Sequence, residues 1–239
     1  MAFRSKDLVD SDLLHKLNRK MIIAIDGPAA SGKGTLARNI ASRFHLAHLD
    51  TGMLYRGLAY SVLCENRDPE NDADVQSCLE KFLSNLGPDA LSKKELRGDD
   101  VGGAASKVAA KPFVRTALLD YQQRFADDQP DNIYGVVLDG RDIGTVVCPD
   151  ADVKIYVTAT PEVRAQRRYD ELTLNGIEID FETVLADIIR RDARDAERAV
   201  APLKPAADAF VMDTSKLNAS EALSEAIQLV RAQLLEKPA

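Results

Sequence analysis

The sequence has few of the residues that build metal and redox centres. Three cysteines and three histidines occur among 239 residues, and neither set has the spacing of a metal site. An odd number of cysteines without such spacing predicts reduced thiols in a cytoplasmic protein. The histidines predict structural or surface roles, because no H-E-x-x-H pattern joins them.

Long hydrophobic runs are also lacking. No stretch approaches about 18 apolar residues, so the sequence predicts no membrane-spanning helix. Residues 1–20 mix acidic and basic side chains without an apolar core, which predicts a partly ordered leader rather than a secretion signal. The net charge of −7 argues against nucleic-acid and membrane-surface partners, because those polyanions would be repelled.

What the sequence does contain is an alternation of short apolar runs with longer helical patterns. The predicted strands are 22–26, 46–49, 135–139, 153–157 and 210–212. The predicted helices are 34–44, 52–65, 75–86, 101–125 with a bend near Pro112, 161–172, 181–198 and 220–235. Strands separated by helices predict an α/β fold with a parallel sheet covered on both faces.

Two polar stretches interrupt this alternation. The first covers residues 65–103, and the second is a loop at residues 172–179. Long polar insertions in a compact α/β domain are often lids or substrate-binding segments. A tolerated surface insertion explains the pattern equally well.

The stretch "GPAASGKGT", residues 27–35, follows the first predicted strand and opens the first predicted helix. This order suits phosphate binding, because backbone N–H groups and the helix N-terminus then surround an anion. Gly27 and Gly32 permit a close approach of the backbone, and Lys33 supplies a point charge for the β and γ phosphates.

The loop departs from the pattern G-x-x-x-x-G-K-[ST] at one position. Gly34 follows the lysine, and the hydroxyl comes one residue late, at Thr35. The loop therefore allows three interpretations: a nucleotide site with an altered magnesium contact, another kind of phosphate site, or a chance match. The strand that ends at Asp139 favours the first, because an acidic strand end suits magnesium. Thr35 and Asp139 are thus candidates to contact Mg²⁺, directly or through water.

Two arginine clusters follow helical spacing. Arg164, Arg167 and Arg168 share one helix face, and so do Arg191, Arg194 and Arg198 with Asp195. Such clusters suit the charge of a transferred phosphoryl group. A solvated face of ion pairs is the alternative, because acidic residues are interleaved with the arginines.

Polar residues also follow two predicted strands. "LDTGMLYR" places Asp50, Thr51, Tyr55 and Arg56 after the second strand, and "LDGRDIGT" places a further set after the third. Open α/β sheets bind ligands at the carboxyl ends of their strands. Ordinary turn chemistry at strand ends is the alternative.

Together these stretches closely resemble the bacterial cytidylate kinases, from about residue 21 to residue 235. The most specific pieces are "GPAASGKGT", "LDTGMLYR", "AASKVAAKPFVR", "LDGRDIGTVVCPDADVKIYVTA" and "RRDARDAERAVAPLKPAADA". The order G-K-G-T is also seen in nucleoside monophosphate kinases. An adenylate kinase would instead show D-G-F-P-R where this chain has "DGRDIG", and no N-K-x-D guanine motif is present.

The resemblance implies a P-loop kinase fold at residues 21–239, with a five-stranded parallel sheet flanked by helices. An acceptor-binding insert would lie at about 65–105 and a small lid at about 161–180. The resemblance further implies that ATP, with Mg²⁺, phosphorylates CMP and dCMP, and that UMP is a weaker substrate. We expect the protein to be a cytoplasmic monomer. Residues 85–103 show no strand alternation, which predicts a reduced insert.

The resemblance also assigns site residues. ATP would lie along Gly27, Pro28, Ala29, Ala30, Ser31, Gly32, Lys33, Gly34 and Thr35. Arg56, Arg141 and Arg198 would hold the acceptor phosphate, with Thr51 in the acceptor loop. Ser106, Arg115 and Asp142 would read the cytosine, and Arg191 and Asp195 would meet the ribose. Lys33, Arg141, Arg167 and Arg168 would serve catalysis.

Two other functions stay open from the sequence. One is a P-loop kinase for another small acceptor, such as UMP, AMP or a non-nucleotide alcohol. The other is a non-catalytic nucleotide-binding switch. The arginine clusters and the polar strand ends favour an enzyme with an acceptor site.

Overall fold

A single sheet of five parallel strands forms the centre of the protein. The computed structural model describes residues 20–87, 91 and 93–236. The strand order is β2-β3-β1-β4-β5, with every neighbouring pair parallel. The strands are β1 (Met21–Asp26), β2 (Ala47–Asp50), β3 (Gly135–Gly140), β4 (Val153–Thr158) and β5 (Phe210–Asp213).

Helices connect the strands, close to the predicted positions. Those within the described ranges are α1 (Lys33–Phe44), α2 (Gly52–Cys64), α3 (Asp72–Ser84), α4 (Asp99–Val108), α5 (Pro112–Asp127), α6 (Pro161–Leu174), α7 (Phe181–Ala196) and α8 (Ala219–Glu236). A 3-10 turn at Lys94–Arg97 and a π-helical turn at Ile143–Val147 complete this set.

The single bent helix predicted at residues 101–125 is wrong. The structure has two helices, α4 and α5, separated by Ala109, Ala110 and Lys111. Lys111 is extended, with φ −83° and ψ 121°. The residue before a proline is pushed out of the helical region, and Pro112 then starts a new helix at its first position.

Two hydrophobic layers cover the sheet, one on each face. Helices α2, α3, α4 and α5 pack on one face, where Leu54, Leu58 and Leu118 are fully buried. Helices α1 and α8 pack on the other, where Ile40 and Val230 are fully buried. The predicted α/β class, with a parallel sheet flanked by helices, is confirmed.

The strand register brings the carboxyl ends of β1, β2, β3 and β4 to one edge of the sheet. Asp50 of β2 is the pairing partner of Asp139 of β3. Asp26 of β1 pairs with Gly140 on one side and with Tyr156 of β4 on the other. The loop after β1 and the turn after β3 therefore leave the sheet side by side.

The segments predicted to form the insert and the lid are largely helical where the structure describes them. The described part of residues 65–105 contains α3, the 3-10 turn and most of α4, and it forms no strand. Residues 161–180 comprise α6 and the loop that leads to α7. Residues 1–19 of the predicted leader lie outside the described residues. No helix in the described part is long and apolar enough to cross a bilayer.

Candidate active site

A cavity opens at the edge of the sheet where β1, β2 and β3 end. Its wall is formed by the loop after β1, by the ends of β2 and β3, and by side chains from α2, α4, α5, α6 and α7. The residues that line it are Ala29, Ala30, Lys33, Gly34, Asp50, Thr51, Gly52, Tyr55, Arg56, Gly102, Ala105, Ser106, Ala109, Arg115, Asp139, Gly140, Arg141, Asp142, Arg168, Glu171, Ile188, Arg191, Asp195 and Arg198. We call it the first cavity.

The loop between β1 and α1 has the geometry of an anion cradle. Gly32 has φ 90° and immediately precedes α1, a conformation that a side chain would strain. A Cβ atom on Gly27 would lie 2.0 Å from the carbonyl oxygen of Val157, so the loop needs glycine there. Lys33 extends along the loop, with Nζ 3.3 Å from the carbonyl oxygen of Pro28.

The environment of Lys33 is short of solvent and rich in charge. Burial is the main cause that lowers the pKa of Lys33 from 10.5 to about 8; the charge of nearby Arg141 contributes to this shift, and Asp139 and Asp50 oppose it. A weakly solvated ammonium group next to a glycine-lined loop favours a ligand that carries negative charge.

Thr51 and His48 link the ends of β2 and β3 through Asp139. Thr51 donates two hydrogen bonds to the carbonyl oxygen of Asp139, from its hydroxyl at 2.9 Å and from its backbone N–H at 3.0 Å. Nε2 of His48 lies 2.7 Å from Oδ1 of Asp139. Burial raises the pKa of Asp50, and the charge of Asp139 adds to this shift. The carboxylates of Asp50 and Asp139 thus lie close to each other and to the ammonium group of Lys33.

A buried network brings arginines from distant segments together. Arg115 of α5 forms an ion pair with Asp142, and both side chains are buried. Nε of Arg141 donates to Oδ2 of Asp195 at 2.9 Å, and the other oxygen of Asp195 accepts from Arg198. These contacts hold the turn after β3 against α5 and α7.

Arg56 and Arg191 add two more cations to this network, so that cationic side chains outnumber their acidic partners there. Burial and the nearby cations Arg141 and Arg56 lower the pKa of Arg191 to about 10. Nη1 of Arg56 donates to the carbonyl oxygen of Leu96 at 2.8 Å, which directs its guanidinium to the cavity wall. Crowded cations at a cavity wall are typical of a phosphate site.

Ser106 of α4 brings a free polar group to the same cavity. Ser106 is 7% exposed, and its hydroxyl has no hydrogen-bond partner among the described residues. A buried hydroxyl without a partner is costly. The Ser106 hydroxyl is therefore available to a ligand in the first cavity.

A second cavity lies on the other side of the phosphate loop. Arg167 crosses it, donating from Nη2 to the carbonyl oxygen of Thr214 at 2.7 Å and from Nη1 to its hydroxyl at 3.1 Å. The lining residues are Ser31, Gly32, Thr35, Leu36, Val157, Arg167, Thr214, Leu217, Asn218, Ala219 and Ala222. Its apolar and polar groups suit a flat ring with hydrogen-bonding edges.

Comparison with known proteins identifies the family. The family model described as cytidylate kinase matches residues 23–232. The chain belongs to the cytidylate kinase family. It is 52% identical over 213 residues to the cytidylate kinase of Xanthobacter autotrophicus, covering 89% of this chain and 98% of that protein. The cytidylate kinase of Rhodospirillum rubrum is 52% identical over 210 residues, with 88% and 97% covered.

A solved structure shows the same fold at low sequence identity. An uncharacterised protein from Eubacterium ventriosum has a TM-score of 0.52 and 12% identity, with 90% of this chain and 99% of that chain covered. At this identity the likeness concerns the fold alone. The closeness to the cytidylate kinase family rests on the sequence relatives.

Most residues that the sequence nominated meet at the two cavities. The first cavity includes Ala29, Ala30, Lys33, Gly34, Thr51, Arg56, Ser106, Arg115, Asp139, Arg141, Asp142, Arg168, Arg191, Asp195 and Arg198. The second includes Ser31, Gly32, Thr35 and Arg167. Gly27 and Pro28 form the start of the loop between them. The adjacent residues Arg167 and Arg168 therefore serve different cavities, which helical spacing alone does not predict.

The structure also separates Arg164 from its neighbours in the predicted cluster. Its guanidinium is buried, pairs with Asp192 and lines neither cavity. The site residues predicted from the sequence did not include Asp26, which is buried under the turn after β3, or Thr214 of the second cavity. Both residues lie at or just after the ends of strands, where open α/β sheets bind ligands, so their positions in the sequence could have indicated them.

Proposed function

We propose that this protein transfers the γ-phosphoryl group of ATP to CMP and dCMP, forming ADP with CDP or dCDP. The observation that carries the proposal is the convergence of arginines from separate segments on the cavity that contains Lys33. Arg56, Arg115, Arg141, Arg191 and Arg198 come from α2, α5, the turn after β3, α7 and the segment after α7. Membership of the cytidylate kinase family supports the same reaction.

The donor nucleotide would span both cavities. Its phosphates would lie on the loop Gly27–Thr35, where backbone N–H groups, the α1 N-terminus and Lys33 favour negative charge. Its base would enter the second cavity, where Leu36 and Leu217 offer apolar surface and Asn218 offers an amide to a ring edge. Arg167 would then contact the donor rather than the acceptor.

The acceptor nucleotide would fill the first cavity. Arg56, Arg141 and Arg198 would bind its phosphate. The Ser106 hydroxyl, Arg115 and Asp142 would read the cytosine edge, because a carboxylate accepts from the amino group that uracil lacks. Asp142 would thereby favour CMP over UMP. Arg191 and Asp195 would meet the ribose, with Thr51 holding the loop beneath it.

The chemistry requires alignment and charge neutralisation more than proton transfer. The acceptor phosphate has a second pKa of about 6, so its attacking oxygen is already ionised at neutral pH. No general base is needed. Lys33, Arg141 and Arg168 would offset the charge that spreads over the transferred group, and enclosure by α6 would limit water entry.

Mg²⁺ fits the residues present. No group of three or more His, Cys, Asp or Glu side chains in the described ranges is arranged as a metal cage. Kinase magnesium is usually held by one or two carboxylates together with phosphates and water. Asp139, with Asp50 beside it, supplies that set, and Thr35 would contribute its hydroxyl directly or through water. When bound, Mg²⁺ would neutralise phosphate charge.

We also propose the functional division of the domain. Residues from about 65 to 105 would serve as the acceptor-binding insert, because the 3-10 turn holds Arg56 and because α4, which begins in this segment, carries Ser106 at its boundary. Residues 161–180 would serve as the lid, because α6 carries Arg167 and Arg168. The monomeric state and the cytoplasmic location stay predictions from the sequence.

The decisive test is ADP release with ATP, Mg²⁺ and one nucleoside monophosphate at a time. We expect rapid ADP formation with CMP and dCMP, a weaker response to UMP, and little with AMP. Equal rates with and without an acceptor would refute the transferase and support a nucleotide-binding switch. A preference for AMP or UMP would instead support the kinase for another acceptor.

A further inference from the structure

One buried guanidinium connects four parts of the protein that surround the two cavities. Arg164 of α6 is 3% exposed. Its Nε donates to the carbonyl oxygen of Ala159, after β4, at 2.9 Å. Nη1 donates to the carbonyl oxygen of Ala29, in the phosphate loop, at 3.3 Å and to Oδ1 of Asp192 at 3.0 Å. Nη2 donates to the second carboxylate oxygen of Asp192, so the pair is bidentate.

The positions of these two residues relate them to both substrates. Arg164 lies three and four residues before Arg167 and Arg168 on α6. Asp192 directly follows Arg191 on α7 and lies three residues before Asp195. The ion pair therefore joins the helix that carries Arg167 and Arg168 to the helix of the residues proposed for the acceptor ribose. Neither residue of the pair lines the first or the second cavity.

Helices α6 and α7 form a unit with a hydrophobic core of its own. Ala165, Leu172, Val184 and Ile188 are buried between them. Ala29 and Ala30 of the phosphate loop pack against this small core. The core is separate from the two layers that cover the sheet. This small core packs the two helices and the phosphate loop into one contiguous unit.

We propose that Arg164 and Asp192 are positioning residues that couple acceptor binding to donor binding. The inference rests on the function proposed above. An acceptor that engages Arg191 and Asp195 orients α7. The bidentate pair resists rotation and transmits that orientation to α6, and the bond to Ala29 transmits it to the donor loop. CMP should therefore strengthen ATP binding, and ATP should strengthen CMP binding to the same degree.

A purely structural role predicts a different result. A buried ion pair that only supports folding would destabilise the protein when broken, yet leave the effect of one substrate on the other unchanged. The ratio of ATP dissociation constants measured without and with CMP separates the two roles, because a uniform loss of stability does not alter it.

The experiment compares Asp192→Asn with Asp187→Asn. Asp187 lies on the same helix and pairs with Arg190 at the exposed surface, so its loss is the matched control. Binding of a non-hydrolysable ATP analogue would be measured by calorimetry, with and without saturating CMP. We expect at least fivefold tighter analogue binding with CMP for the wild type and for D187N, and less than twofold for D192N.

Arg164→Lys provides a second variant, because lysine keeps the charge but cannot form the bidentate contact. It should also reduce the ratio to less than twofold, and it takes the place of D192N if melting curves show that D192N is unfolded. A wild-type ratio in the folded variants overturns the inference. So does a wild-type protein without substrate coupling, and CMP-dependent ADP formation by that protein would leave the proposed function intact.

Discussion

Asp26, at the end of β1, is hydrogen-bonded to Gly144, in the turn after β3. Oδ2 of Asp26 accepts from the backbone N–H of Gly144 at 2.8 Å, and Oδ1 accepts from that of Ile143 at the same distance. Asp26 directly precedes the phosphate loop, and Ile143 directly follows Asp142. The buried carboxylate therefore holds in place the turn that carries Arg141 and Asp142, two residues proposed to bind the acceptor.

The burial of Asp26 predicts a specific pH dependence of stability. Burial raises the pKa of Asp26 to about 6, although the two backbone N–H groups oppose the shift. The folded protein therefore binds a proton between about pH 4 and pH 6 that the unfolded chain releases. This contribution to stability is complete below about pH 4 and is lost as the pH rises through about 6.

Asp26→Asn should remove that dependence. We expect the difference in unfolding free energy between variant and wild type to change by about 3 kcal/mol between pH 4 and pH 7, in favour of the variant at pH 7. Urea unfolding followed by circular dichroism would measure it. Asp187→Asn controls for the loss of one negative charge. Parallel pH curves for D26N and wild type would contradict the assignment.

The pKa of Lys33 predicts the alkaline limit of donor binding. Because burial lowers this pKa to about 8, the free enzyme loses the ammonium charge above that pH. We expect kcat/KM for ATP to fall above pH 8 in the wild type. Lys33→Arg should remove the fall at a lower maximum, because arginine stays protonated. Lys33→Ala should reduce turnover by orders of magnitude in a folded protein, and near-normal turnover would refute the role.

Ser106 offers a test of base recognition with little effect on folding. Its hydroxyl has no partner among the residues described, so Ser106→Ala should leave the melting temperature nearly unchanged. The KM for CMP should rise about two- to tenfold, the usual value of one hydrogen bond. Ser61→Ala is the control, because that hydroxyl bonds to the carbonyl oxygen of Gly57 in its own helix. Unchanged CMP kinetics in S106A would remove Ser106 from the acceptor site.

The separation of Arg167 from Arg168 predicts distinct kinetic effects of two adjacent residues. Arg167 lies in the second cavity beside Thr214, whereas Arg168 lines the first. Arg167→Ala should raise the KM for ATP severalfold and leave the KM for CMP within about twofold. Arg168→Ala should chiefly lower kcat, because it faces the site of transfer. Two-substrate kinetics would show this, and identical profiles for both variants would contradict the division.

Much of the local structure follows from the sequence. The apolar runs at residues 22–26 and 153–157 became β1 and β4, and the glycine-rich loop lies between β1 and α1, as predicted. These features depend on neighbouring residues alone, namely periodicity, glycine conformation and strand length. The prediction of one helix through residues 109–111 was wrong for a local reason too. Pro112 pushes Lys111 out of the helical conformation, and this effect outweighs the apolar periodicity.

The alternation of strands and helices, the phosphate loop and the identity of the charged groups all follow from residues in chain order. Which of those groups meet depends on how distant segments pack. Helical spacing placed Arg164, Arg167 and Arg168 on one face, yet Asp192, Thr214 and the first cavity each receive one of them. The physical reason is that spacing defines a face, whereas a side chain's environment depends on the segments that pack against it.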